Sequence, residues 1–182
     1  MNLKKISILV FGLICISGYV AAQSAVPTPN PIQSQFSQES IEAYQESSES
    51  KLVTFFEYLT LYSTTKDENL KKQLKQNLYS LIESENTSLA DFTDANLPEI
   101  TLPYLLPKIE NNYYHFSIQE EIFSDEPEPK NWTNYYELMV KQGNEAVTYS
   151  LGQEILFTPI EKKFGSKSKT VWEMKLGDIT IE

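Results

Sequence analysis

Two kinds of hydrophobic spacing divide this chain. Between Ser37 and Ser63, the residues Ile41, Tyr44, Leu52, Phe55, Phe56, Leu59 and Tyr62 recur at steps of three and four. Glu42, Glu46, Glu49 and Glu57 fall mostly off that stripe, and Gly and Pro are absent. This spacing predicts an amphipathic helix. Thr65-Lys-Asp-Glu68 has the spacing of a capping box and predicts the start of a second helix, running to about Glu83. Its buried stripe is Leu70, Leu74, Leu78, Leu81 and Ile82, and its wet face carries Lys71, Lys72, Lys75 and Gln76. Pro98, Pro103 and Pro107 then exclude any long regular element between Asn86 and Asn112. Within that segment Ser88–Asp91 reads as one helical turn, Ile100–Leu102 as a short edge strand and Tyr104–Ile109 as a short helix.

From Tyr113 the period changes to two. Tyr114, Phe116, Ile118 and Ile122 alternate with Tyr113, His115, Ser117, Gln119 and Glu121 over 113–124. DEPEPK, 125–130, is a polar connection. Over 132–142 the apolar face is Trp132, Tyr136, Leu138 and Val140, and Gly143-Asn144 supplies a tight turn. Over 145–158 the same face holds Val147, Tyr149, Leu151, Ile155 and Phe157. FGSKSK, 164–169, reads as a loop, and 170–181 closes the chain with Trp172, Met174 and Leu176 inward. Beyond Leu176 the apolar residues are Ile179 and Ile181, so the alternation slips by one. The slip predicts a bulge at Gly177, and a positive φ there would make Gly177→Val a strained substitution.

Two helices followed by four long strands, each wet on one face, predict an α+β fold. The amphipathic helices pack on one face of a curved antiparallel sheet of about four long strands. This order of elements, with a closing strand that reads KTVWEMKLGD over 169–178, resembles the nuclear transport factor 2-like (cystatin-like) α+β class. The resemblance implies a cone-shaped pocket between the helices and a curved sheet. That class includes isomerases, dehydratases, polyketide cyclases and many non-enzymatic modules. The catalytic Asp–His pairs of its enzymes have no counterpart among these residues, so the resemblance carries fold rather than function.

Composition narrows the picture. Lys4 and Lys5, the apolar run Ile6–Ile16 and the small residues Val20-Ala21-Ala22 have the layout of a secretory signal peptide, cut after Ala22. This reading makes the protein periplasmic or secreted. Residues 1–22 are then the leader, 23–36 a Pro/Ser/Gln-rich spacer and 37–182 a single domain. The lone cysteine, Cys15, lies inside the leader and not after the small residues that a lipidation site requires. Processing leaves 13 lysines against 25 carboxylates, which moves the formal charge from -10 to -12. There is no arginine. An acidic chain without Arg is a poor match to nucleic acid or to an anionic membrane surface.

Catalytic and metal chemistry finds little support. His115 is the only histidine and needs an orienting carboxylate, for which Glu137 or Glu173 on a neighbouring strand would serve. Asp125, Glu126 and Glu128 form an acidic loop whose prolines break any regular Ca²⁺-ligand spacing. No phosphate loop or nucleophile elbow is present. No metal and no cofactor are expected. The aromatic residues on the helix-facing sheet side are the remaining candidates: Tyr114, Phe116, Tyr136, Tyr149 and Trp172 would line a pocket for a small apolar ligand. The expected function is an exported, non-catalytic binding or accessory module. The alternatives are a protein-interaction module pairing through the polar sheet face, for example as a homodimer, and a cofactor-free lyase or isomerase using His115.

Overall fold

A computed structural model describes residues 36–119, 122–127 and 130–182. The leader, Cys15, the spacer up to Gln35, Glu121, Glu128 and Pro129 lie outside the described residues. The elements in chain order are α1 (Gln38–Thr64), α2 (Glu68–Leu81), β1 (Ser88–Ala90), β2 (Glu99–Thr101), α3 (Leu102–Ile109), β3 (Tyr114–Ile118), β4 (Phe123–Ser124), β5 (Asn131–Gln142), β6 (Glu145–Phe164) and β7 (Lys167–Ile181). The fold is α+β. Its helices pack against a strongly curled antiparallel sheet ordered β3-β5-β6-β7, with β4 continuing the β3 edge along β5.

The first helix follows its apolar stripe, with Ile41, Leu52, Phe55, Phe56, Leu59 and Tyr62 all buried. The Ser37 side chain caps it by accepting from Ser40 N. The second helix departs from expectation at its start and in its buried stripe. Asp67, not Thr65, is its N-cap, because the Asp67 carboxylate accepts from both Asn69 N (2.8 Å) and Leu70 N (3.2 Å). Thr65 instead ends α1 and accepts from Asp67 N. Leu70 is exposed and Lys71 is buried, its ammonium held by Glu68 and Glu110. Ser88–Ala90 is a strand rather than a helical turn and pairs antiparallel with Glu99–Thr101. The third helix starts at Leu102, with Pro103 in its first turn, where a missing N–H costs nothing.

Both edges of the main sheet are closed. On β3 the outward donors Tyr114 N and Phe116 N reach Ser63 Oγ (2.7 Å) and Thr60 Oγ1 (2.9 Å) of α1. On β7, Met174 O accepts from Lys51 Nζ and Leu176 O from Glu83 N. Helix α1, with the residues just after α2 on the β7 side, therefore blocks strand addition along these stretches of both margins. A buried polar cluster ties it to the sheet centre: Trp132 Nε1 donates to Asn134 Oδ1, and Asn134 Nδ2 donates to Ser48 Oγ.

The expected bulge is present. Between the pairs Gln153↔Ile179 and Ile155↔Leu176, β7 carries one residue more than β6. Gly177 there does not take positive φ, which among the described glycines belongs to Gly143 and Gly165. Close approach is what requires glycine: a Cβ on Gly177 would sit 2.8 Å from Glu154 Oε2 and 3.2 Å from Glu154 Cβ.

The residues FGSKSK are not a loop. Strand β6 runs to Phe164, the chain reverses in the two-residue turn Gly165-Ser166, and β7 begins at Lys167. Strand β5 pairs with β6 only from Leu156 back toward Glu145. From Thr158 to Val171 the two strands form a ribbon that stands clear of the sheet. Pro159 is tolerated there because its nitrogen points the same way as Phe157 N, which donates to Lys130 O just before β5 begins. Beyond that point no β5 residue remains to be satisfied.

Candidate functional site

A groove accompanies an irregular sheet edge. From Ile118 to Phe123 the edge takes five steps, whereas β5 takes three from Leu138 to Tyr135. Beside this stretch a groove of about 700 Å³ lies between α1 and β3. One wall is a helix ridge at spacings of three and four, Glu49, Val53, Phe56 and Glu57. The other wall is Phe116 and Ile118 of β3 with Ile122 beyond it. Because β3 is an edge strand, His115 and Ser117 of its opposite face also reach the groove. Val53 is 40 % exposed, an apolar side chain on the wet side of α1. The groove therefore has an apolar floor with Glu49 and Glu57 along its helical rim.

The five aromatic candidates do not converge on one pocket. Phe116 (3 % exposed) and Tyr136 (4 %) lie in the core against Phe56, with ring centroids 6.3 Å and 5.7 Å from it. Phe116 is the only one of the five that also lines the α1–β3 groove. Burial pushes the Tyr136 hydroxyl strongly up, and its oxygen has no hydrogen-bond partner among the described residues. Tyr114 and Tyr149 share a separate cleft of about 180 Å³ near Asp94 and Glu145. Burial raises the pKa of both hydroxyls, and Asp91 and Asp94 respectively push them further in the same direction. Trp172 lies elsewhere, stacked on Phe157 at 4.7 Å and edge-on to Phe36 at 5.4 Å.

His115 is exposed and pairs across the ladder with Lys141. Glu137 lies four residues along β5 from that position, and Glu173 is on β7 at the far edge, so neither stands beside the imidazole. Asp125 is a structural turn residue: its carboxylate accepts from Thr133 N (2.7 Å) and its carbonyl from Gln45 Nε2 (3.1 Å). Among the described residues no three His, Cys, Asp or Glu side chains converge as a metal site, and no helix is long and apolar enough to cross a membrane. The chain matches no protein-family model and no curated protein.

Sequence reasoning missed Val53, Ile122 and Glu57 as groove residues. The available signal was Val53, an aliphatic residue interrupting the polar side of α1 four positions before Glu57. The two-residue surplus on the edge had no signature in the alternation, because Ile118 and Ile122 keep the same parity across it.

Proposed function

We propose that this protein is an exported, non-catalytic binding module whose site is the groove between α1 and β3. Its ligand is apolar along most of its length and cationic at one end. The observation that carries this reading is the groove itself: Val53, Phe56, Phe116, Ile118 and Ile122 offer an apolar bed, and Glu49 and Glu57 place carboxylates at its margin. Export rests on the leader-like residues 1–22, and intact mass of protein recovered outside the cytoplasm tests it, with Gln23 expected as the first residue.

Binding is tested with Nile red, whose emission rises on entering an apolar site. Displacement by decylammonium but not by decanoate is expected, since only the cation suits the glutamates. Val53→Lys should abolish the emission gain while leaving the melting temperature unchanged, because Val53 is already partly exposed. Equal Nile red binding by the variant, or equal displacement by both amphiphiles, overturns the assignment.

A further inference from the structure

The β6–β7 ribbon carries a feature that folding does not explain. Its register places Ile160 opposite Val171, Lys162 opposite Lys169 and Phe164 opposite Lys167. Paired residues share a face, so Phe164, Lys162, Lys167 and Lys169 project from one side of the ribbon near its tip. Phe164 is 55 % exposed. Two ammonium groups directly across a ladder repel. Lys162 has one carboxylate nearby, Glu173 at 3.9 Å, and among the described residues no carboxylate lies within ion-pair distance of Lys167 or Lys169. An aromatic tip flanked by three cations, on a chain of formal charge -10, is the chemical complement of an apolar trough rimmed by glutamates.

We infer that the ribbon of one copy docks in the α1–β3 groove of a second copy, with Phe164 over Val53 and Ile118 and the ribbon lysines at Glu57. This inference rests on the groove being the binding site. A ribbon does not reach the groove of its own chain. The ribbon grows from β6 and β7 and projects beyond the Asn131↔Leu156 pair, whereas the groove lies at the β3 edge on the other side of that pair. The contact therefore joins unlike surfaces, and repetition closes into a ring, a reciprocal pair being the smallest, or runs on as a filament. It depends on opposite charges at exposed sites and so weakens with salt.

Sedimentation equilibrium over a concentration series tests this, at low salt and at about 0.5 M salt, where exposed charges are screened. Apparent mass should rise with concentration at low salt and fall back at high salt. Glu57→Lys and the triple variant K162E/K167E/K169E should each weaken association about tenfold or more. An equimolar mixture of these two variants should associate again, because each ribbon then meets a groove of opposite charge. Unchanged melting temperatures show that both variants stay folded. A wild-type chain that stays monomeric throughout while still binding Nile red overturns the docking but leaves the groove reading intact. Association untouched by either reversal, or capture of the ribbon by anionic vesicles with no self-association, also overturns it.

Discussion

Strand β6 belongs to two regions that behave differently. From Leu151 to Phe157 every second residue is fully buried, and the facing residues of β5, Trp132, Asn134 and Tyr136, are buried with it. From Thr158 to Phe164 the same strand keeps its ladder to β7, yet nearly every residue is exposed. The ladder to β7 runs through both halves, but β5 flanks only the first. The halves also differ in the third layer, since α1 covers the first half and, among the described residues, no element covers the second. Hydrogen-bonded pairing and a two-residue turn suffice to extend a ribbon from an anchored hairpin, but apolar burial needs something to bury against.

The sharpest way to test the contrast is with aromatic residues of one strand. Phe157, fully buried among Phe36, Tyr44, Trp132 and Trp172, should cost about 3–5 kcal/mol when changed to Ala, read by denaturant unfolding. At the bulge that joins the packed part of β7 to its end, Gly177→Val should cost about 1–3 kcal/mol by driving a side chain into Glu154. Glu154→Ala in the same chain should recover part of that loss.

The packed region should also have an acid limb that the ribbon lacks. Burial of Asp91 works against its charge, but hydrogen bonds from Lys108 and Thr93 outweigh burial and hold its pKa below the usual value. A depressed folded pKa contributes stability that is present above the ordinary carboxylate range and is lost as pH falls through the folded value. Melting temperature should therefore drop on acidification below about pH 4. Asp91→Asn should flatten that drop and cost about 1–3 kcal/mol at neutral pH, since it disrupts a buried hydrogen-bonded group.

Smaller effects complete the comparison. Tyr136→Phe removes a buried hydroxyl with no partner among the described residues and should leave stability unchanged or raise it by up to about 1 kcal/mol. A loss instead would reveal a bridging water. Phe164→Ser, in the ribbon, should stay within about 0.5 kcal/mol of the parent by the same unfolding measurement. A larger loss would show that the ribbon is packed in solution.

What could be read from the residues was set by period. The stripe of α1, the alternation of β5 and β6, the Gly143-Asn144 turn and the bulge at Gly177 are local patterns, and each appears where the spacing places it. Local competition misled the reading elsewhere. Thr65 and Asp67 are both good caps two residues apart, and only the end of α1 decides that Asp67 starts α2. Lys71 has the sequence character of a wet face, and its burial depends on Glu110, thirty-nine residues away.

The sequence by itself determined the α+β class, the two main helices, the strand parity and the slip at Gly177, because these follow from steric periodicity within a few neighbouring residues. Only the tertiary structure decided that the aromatic candidates scatter into core, cleft and edge, that a groove lies between α1 and β3, and that the β6–β7 hairpin outgrows its sheet. Each of these depends on where one element ends relative to another: where β5 stops beside β6, and how many residues β3 and β4 spend against it. A chain read alone carries its periods but not the distances between its elements.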